Sequence, residues 1–170
     1  MKKPRCAISR CLLGDNVRYD GKDKANDIVN RELSLYFEWF AICPEVEIGM
    51  PVPRPPMHLI NRRAEIHAVH IHDEQNDFTD ALRQHAHQLR IQLANVAGYI
   101  VKSRSPSCGL GSVPIVGVER LGSGVFIETV AALFPRLPII DEEGLTDEGK
   151  RSEFFEAVLC FQAANRGNRI

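Results

Sequence analysis

The sequence predicts an α/β fold in which helices cover both faces of one mainly parallel sheet, and three observations carry this prediction. Short apolar segments with strand character alternate with segments whose apolar residues recur at helical spacing. Glycine, proline, asparagine and aspartate separate these segments, as expected of loops. The 170 residues suit one domain spanning residues 1–170, because chains of about 100 to 200 residues bury enough surface to fold alone.

The first strand and the first helix follow one another from residue 5. Residues 5–9 have the composition of a short buried strand, and the glycine, asparagine and aspartate of residues 10–21 predict a loop. This loop places Cys11 just beyond the carboxyl end of the strand. Between residues 24 and 40, apolar side chains recur at helical spacing and predict one apolar stripe, formed by Val29, Leu33, Tyr36 and Phe40.

A proline ends the second predicted strand. Residues 40–43 form a short apolar run, and Pro44 ends it because proline has no backbone N–H to donate within a sheet. Cys43 therefore also lies at the end of a strand. Four prolines between residues 51 and 56 then predict an extended, stiff segment of a kind that often lines a site.

The second half of the chain repeats the alternation. Residues 65–71 alternate as a strand, residues 77–96 have helical spacing, and residues 98–103 form a buried strand. The serine-, proline- and glycine-rich loop that follows contains Cys108. The remaining predicted elements are a helix at 127–134, a strand at 137–141 and a terminal helix with Thr146 as its N-cap. This order predicts right-handed crossovers and a single-domain three-layer, Rossmann-like architecture.

Three of the five cysteines follow predicted strands. Because ligands bind beyond the carboxyl ends of the strands in such sheets, Cys11, Cys43 and Cys108 are predicted to converge on a metal site there. Thiolates suit zinc, copper(I) or an iron–sulfur cluster, and the absence of close cysteine pairs is unlike a structural zinc site. The alternative is that these cysteines are buried small hydrophobes, as we expect for Cys6 in a strand and Cys160 in the terminal helix.

Composition and charge exclude several classes of protein. The chain is 44% hydrophobic and 25% charged, and no apolar run approaches the roughly 18 residues of a membrane span. A net charge of −1 gives no global attraction to nucleic acid or to an anionic membrane. The basic N-terminus leads into only a few apolar residues, unlike a secretory signal, so we expect a cytoplasmic protein with reduced thiols. Nothing in the sequence indicates the oligomeric state.

Three sequence segments, taken in their order along the chain, form a pattern that is specific to one protein family. They are ISRCLLG with VRYDG (residues 8–14 and 17–21), CPEV with PVPR (43–46 and 51–54), and KSRSPSCG (102–109). Together they resemble the thiouracil desulfurase family, and the resemblance spans most of the chain. It implies a 4Fe-4S cluster held by Cys11, Cys43 and Cys108, with the fourth iron free to take sulfur from a thiocarbonyl group.

The same resemblance implies roles for residues beside the cysteines. Glu45 and Ser105 are expected to handle protons, because replacing C=S by C=O needs water to attack the carbon while sulfur departs. Apart from the resemblance, Arg54 flanks the cysteine motifs and is predicted to bind the substrate through an anionic base or phosphate, the alternative being a surface charge or an ion pair. The implied reaction is a non-redox desulfuration of a small thiolated pyrimidine base or nucleoside, or of a related thiocarbonyl compound.

Two other functions are compatible with the cysteine pattern. One is a non-enzymatic iron–sulfur or metal-binding protein. The other is a cluster-free enzyme in which a cysteine thiolate attacks the substrate or carries sulfur as a persulfide. The last possibility needs one reactive cysteine of low pKa, whereas a cluster needs all three cysteines at once.

Overall fold

The computed structural model describes residues 2–167. Within this range the strands are β1 (Arg5–Ser9), β2 (Glu38–Ile42), β3 (Met57–Arg62), β4 (Glu65–His70), β5 (Asp73–Asp77), β6 (Gly98–Val101), β7 (Val113–Val116), β8 (Val118–Gly122) and β9 (Ile139–Asp141). The α-helices are α1 (Pro44–Glu47), α2 (Thr79–Gln88), α3 (Arg90–Leu93), α4 (Val125–Leu133) and α5 (Glu148–Gly167). Shorter helical turns occur at Arg10–Leu13, Ile28–Glu32, Leu33–Leu35 and Gly144–Thr146. None of these described helices is long and apolar enough to cross a bilayer.

Four strands form the parallel sheet that the sequence predicts. Their order is β2-β1-β6-β9, and every neighbouring pair is parallel. In the register, Ile8 of β1 lies opposite Ala41 of β2 and Ile100 of β6. The carboxyl ends of β1, β2 and β6 therefore meet along one edge of the sheet.

Helices cover both faces of this sheet, which confirms the three-layer prediction. Because side chains alternate along a strand, Ala7 packs in one hydrophobic core with residues of α2 and α4. Cys6 and Ile8 pack in a second core, on the opposite face, with Phe154 and Val158 of α5. The connection from β1 to β2 contributes to the α5 side, and the connection from β2 to β6 contributes to the α2 side.

A second sheet packs against α2 and α4 on the side away from the parallel sheet. Its order is β5-β4-β3-β7-β8, and it is mostly antiparallel. Leu59 of β3 and Ala68 of β4 are buried in the same core as Leu82 of α2 and Val130 of α4. The sequence predicted only β4 of this sheet. Strands β5 and β8 could not be predicted from the hydrophobic pattern, because their side chains are largely exposed and do not alternate between apolar and polar.

Residues 24–40 do not form the regular helix that was predicted. The segment contains only two short helical turns, and Phe40 lies in β2. Polar side chains replace regular main-chain hydrogen bonds here: Asn26 Oδ1 accepts from the Val29 N–H at 3.0 Å, and Ser34 Oγ donates to the Val29 carbonyl at 2.9 Å. Such side-chain bonds compete with a continuous helix.

Two further helix predictions need correction. The helix expected over residues 77–96 is divided at Leu89, which joins α2 to α3. Helix α5 is capped by Asp147 rather than by Thr146, because Asp147 Oδ1 accepts from the Lys150 N–H at 3.0 Å. An aspartate in that position also carries negative charge to the positive end of the helix dipole.

Candidate active site

A cavity of about 690 Å³ opens at the carboxyl ends of β1, β2 and β6. Cys11, Cys43 and Cys108 all line it, as predicted from their positions after strands. The cavity lies where the chain segments leaving β1 and β2 pass to opposite faces of the sheet, which is the usual place for a ligand in an open α/β fold. Within residues 2–167, no group of three or more histidine, cysteine, aspartate or glutamate side chains is arranged to hold a single metal ion.

Main-chain hydrogen bonds fix the turn that carries Cys11. The Cys11 carbonyl accepts from the Gly14 N–H at 3.3 Å and from the Lys24 N–H at 2.8 Å. Gly14 has φ +106°, a left-handed conformation that glycine adopts without steric cost. The turn therefore holds Cys11 at the end of β1 while the chain reverses.

The turn that carries Cys43 is supported from two sides. Cys43 precedes α1, whose first residue is Pro44, and its N–H donates to Glu47 Oε1 at 3.0 Å. Glu47 Oε2 lies 2.7 Å from Nε2 of His85, a buried residue of α2. The His85 ring centroid is 5.7 Å from that of Phe126 in α4. Helices α2 and α4 thus support the Cys43 turn through one carboxylate.

The loop that carries Cys108 is fastened to the N-terminal end of α4. Three of its carbonyl groups accept backbone hydrogen bonds of 2.7 to 3.1 Å: Pro106 from Val125, Ser107 from Ile127 and Gly109 from Gly124. A Cβ atom on Gly124 would lie 2.4 Å from the Ser107 carbonyl carbon and 2.7 Å from the Cys108 nitrogen. The close approach of two backbones therefore requires glycine at this position.

Ser105, Ser107 and Glu45 form one hydrogen-bonded line. Ser107 Oγ lies 2.8 Å from Glu45 Oε1 and 3.0 Å from Ser105 Oγ. Since a carboxylate only accepts, the single Ser107 hydroxyl proton is directed to Glu45, and Ser105 donates to Ser107. Ser105 Oγ itself accepts from the backbone N–H groups of Ser107 and Cys108 at 3.3 and 3.1 Å. The donor direction along the line is thus fixed from Ser105 towards Glu45.

A buried arginine holds the Glu45 carboxylate in place. Arg54 donates to Glu45 Oε2 from Nε at 2.8 Å and from Nη2 at 2.6 Å, and its Nη1 donates to the Pro51 carbonyl at 3.2 Å. Arg54 is only 7% exposed. This pairing leaves Oε1 of Glu45 for Ser107. The predicted contact between Arg54 and substrate stays a prediction.

Cys11 and Cys108 are buried and Cys43 is partly buried, and burial raises the pKa of all three thiols. The pKa of Cys11 is raised to about 12, first by burial and then by the neighbouring Cys43 thiol. Burial also raises the pKa of Cys43 and of Cys108. The positive charges of Lys102 and Arg18 act on Cys11 in the opposite direction. Because the thiolate is the form that binds metals, the partner that suits this donor set is a positively charged group.

One buried hydroxyl near the end of the parallel sheet, that of Tyr99, has no hydrogen-bond partner within the described residues. Tyr99 of β6 is fully buried, and within the described structure its hydroxyl oxygen has no hydrogen-bond partner. Burial raises the pKa of Tyr99 well above its usual value, and Cys108, Glu47, Cys43 and Cys11 raise it further. An unpaired buried polar group is costly. Tyr99 is not among the residues that line the cavity, so its hydroxyl identifies no ligand there.

A second ionic group, Lys102 with Glu142, also lines the cavity. Lys102 Nζ contacts Glu142 Oε1 and donates to the Ser103 carbonyl at 3.0 Å. Glu142 also accepts from the Ser103 N–H at 2.6 Å and from Ser103 Oγ at 2.9 Å. Burial would raise the pKa of Glu142, but these hydrogen bonds and the charge of Lys102 outweigh it and lower the pKa.

The structure brings all six predicted site residues to one cavity. Its lining includes Cys11, Cys43, Glu45, Arg54, Ser105 and Cys108. Sequence analysis missed Ser107 and Glu142. Ser107 is the second serine of the Ser-Pro-Ser-Cys motif, and its position next to a predicted ligand was the available signal. Glu142 carries no local signal, because its partners Lys102 and Ser103 are about 40 positions away.

The two cysteines outside the site differ from one another. Cys6 is fully buried within β1, which confirms the prediction for that residue. Cys160 is exposed on α5, so the prediction of burial there was wrong. The buried side of α5 includes Val158, and a residue two positions further along a helix points about 200° away.

Two comparisons with known proteins give matches to thiouracil-desulfurizing enzymes. A family model described as 2-thiouracil desulfurase matches residues 6–142. Among solved structures, a 4Fe-4S-dependent thiouracil desulfidase, TudS, matches with a TM-score of 0.62 and 32% sequence identity, over 85% of this chain and 94% of that chain. A comparison with curated proteins gave no match. The range matched by the family model contains the three cysteines and the hydrogen-bonded line.

Substituting Gly124 should weaken the Cys108 loop. We expect Gly124→Ala to lower the free energy of unfolding by about 1 to 3 kcal/mol, because the added methyl group meets backbone atoms that cannot move aside cheaply. Urea denaturation under reducing conditions measures this. The control is Gly149→Ala in α5, where the new Cβ meets no backbone atom and only the N-cap oxygen Oδ1 of Asp147 at 3.2 Å, a side-chain atom that can shift at smaller cost. Equal stabilities of the two variants would contradict the proposed backbone contact.

The Glu142 cluster should make stability depend on pH. Because the pKa of Glu142 is lowered on folding, its stabilisation is complete above the ordinary value of 4.5 and is lost as pH falls through the folded value. At pH 7, Glu142→Gln should cost about 1.5 to 3 kcal/mol, as for hydrogen bonds to charged groups. The gap between wild type and variant should narrow as the pH approaches 3 in urea denaturation.

The neighbouring residue provides the control for this pH series. Glu143 pairs with Arg104, but both side chains are more than half exposed. Glu143→Gln should therefore change stability by less than about 1 kcal/mol at any pH in the series. A Glu142→Gln deficit that stays constant with pH would show that the carboxylate charge is not the stabilising feature.

Proposed function

The chain belongs to the 2-thiouracil desulfurase family, and from that premise we propose that it converts the C=S group of a thiolated pyrimidine, or of a related small thiocarbonyl compound, into C=O. Water supplies the oxygen and sulfur leaves as sulfide, so the reaction needs no oxidant or reductant. The observation that supports this most directly is the cavity itself, where three cysteine thiols lie beside a hydrogen-bonded line that ends on Glu45.

We propose that Cys11, Cys43 and Cys108 hold a 4Fe-4S cluster, the cofactor named for the similar solved structure. The two remaining cysteines are outside the cavity lining, since Cys6 is within β1 and Cys160 is on α5. Three cysteines leave one iron of such a cluster without a protein ligand. When bound, the cluster supplies that iron as a soft Lewis acid suited to a sulfur atom of the substrate.

The proposed role of Glu45 is to accept a proton from the attacking water. Ser105 borders the cavity, and its hydroxyl is hydrogen-bonded through Ser107 to Glu45 Oε1. A proton leaving water near Ser105 passes to the carboxylate by a shift of each hydroxyl proton along the line. Arg54 occupies the other carboxylate oxygen and so orients the accepting one. The proton then returns along the same line to the departing sulfide.

The burial of the cavity cysteines disfavours a cluster-free sulfur carrier. A persulfide carrier needs one accessible cysteine of lowered pKa. Here burial raises the pKa of all three cavity cysteines. All five cysteines are free thiols, which suits a reducing cytoplasm, the compartment we propose for the protein.

Anaerobic reconstitution tests the cofactor and the reaction together. We expect about four irons per chain and release of uracil and sulfide from 2-thiouracil. Serine at Cys11, Cys43 or Cys108 should abolish both, whereas Cys6→Ser and Cys160→Ser should retain the iron content and visible spectrum. Metal-free protein with full activity would contradict the cluster, and reconstituted protein that releases no uracil would contradict the reaction.

Substitutions along the hydrogen-bonded line test proton transfer separately. Glu45→Gln, Ser107→Ala and Ser105→Ala should each retain the iron and lower kcat for 2-thiouracil, because no proposed ligand is removed. Losing a group that transfers protons typically costs about 100- to 10,000-fold. Glu128→Gln, on the exposed side of α4, is the control and should keep wild-type kcat. Full activity in the three variants, with iron content unchanged, would contradict the proton-transfer roles of these residues but not the proposed cluster site.

A further inference from the structure

Tyr19 presents an aromatic ring at the mouth of the cavity. It lines the same cavity as Glu45 and Ser105, and yet it is 43% exposed. The other aromatic residues of comparable exposure include Tyr36, at 53%, which is not part of the cavity lining. Because the Tyr19 ring is only partly covered by other protein groups, it is available to contact a flat ligand.

The loop around Tyr19 holds the ring in position. The Gly21 N–H donates to the Arg18 carbonyl at 3.0 Å, and the Arg18 N–H donates to the Lys22 carbonyl at 3.2 Å. Gly21 has φ +72°, and a Cβ there would lie 3.9 Å from that of Pro53 in the proline segment. The Arg18 guanidinium lies 5.6 Å from the centroid of the Tyr19 ring. A ring positioned in this way loses little conformational freedom when a ligand binds.

Arg54 joins this ring to the proton-transfer line. Its backbone N–H donates to the Tyr19 carbonyl at 2.8 Å, and its guanidinium holds Glu45. One buried residue therefore fixes the position of the Tyr19 backbone relative to the Glu45 carboxylate. A substrate that contacts the Tyr19 ring therefore has a defined position relative to Glu45, the proposed proton acceptor.

We propose that Tyr19 binds the substrate by stacking on its heterocyclic ring and so selects cyclic, base-like thiocarbonyl compounds over acyclic ones. This inference rests on the proposed function. Stacking on an aromatic side chain is effective for any base, because every base has a π face. An acyclic thioamide offers only the much smaller π face of its N–C=S group. Tyr19 thus supplies ring selectivity, while Glu45 and the serines supply proton transfer.

Steady-state kinetics of anaerobically reconstituted protein tests this role. Tyr19→Ala should raise KM for 2-thiouracil by roughly 5- to 150-fold, the effect of losing one base–aromatic stack, and leave kcat within about twofold. Tyr19→Phe keeps the ring and should keep the wild-type KM. Tyr36→Ala removes a tyrosine of comparable exposure outside the cavity and should also keep the wild-type KM. Iron content is measured in every variant and should equal that of wild type.

The outcomes separate the inference from the function on which it rests. Wild-type protein that holds four irons but releases no uracil would overturn the proposed function and this inference together. Wild-type activity with an unchanged KM in Tyr19→Ala, or a loss confined to kcat, would overturn the stacking role alone. A raised KM in Tyr19→Phe as well would show that the phenolic hydroxyl, rather than the ring, makes the contact.

Discussion

The ion pair between Arg54 and Glu45 is the interaction on which the cavity depends. A charged side chain this deeply buried is stable only when it is paired, and the Arg54 guanidinium donates to Glu45 and to the Pro51 carbonyl. The Arg54 backbone N–H donates to the Tyr19 carbonyl. Glu45 in turn accepts from Ser107 in the loop that carries Cys108. Four chain segments, including two that carry cysteines, are therefore tied to one guanidinium–carboxylate pair.

Around this pair, rigid elements set the positions of the cysteines. Cys11 and Cys43 follow neighbouring parallel strands whose register is fixed by main-chain hydrogen bonds. Cys108 is held by the N-terminal turn of α4, and α2 supports the Cys43 turn through His85 and Glu47. Backbone geometry thus sets the positions of the three cysteines, which is the condition for a preorganised centre.

The parts of this structure that were predictable from sequence are those with local causes. The bounds of β1, the end of β2 before Pro44 and the loop at Cys108 follow from short apolar runs and their turn residues. The same local logic failed for residues 24–40, where Asn26 and Ser34 replace helical hydrogen bonds. The second sheet and the bond from Ser107 to Glu45, 62 positions away, depend on long-range pairing that no local pattern encodes.

The attachment of Gly109 to Gly124 separates the site from the hairpin that lies between them in sequence. The Gly124 N–H bonds to the Gly109 carbonyl at 2.7 Å, so the chain leaves the site and returns to it at the same point after forming β7 and β8. This hydrogen bond closes the base of the segment that contains the β7–β8 hairpin. Its tip near Gly117 can change in length or sequence across evolution without moving Cys108, which makes it a natural place for diversification of the protein's outer surface.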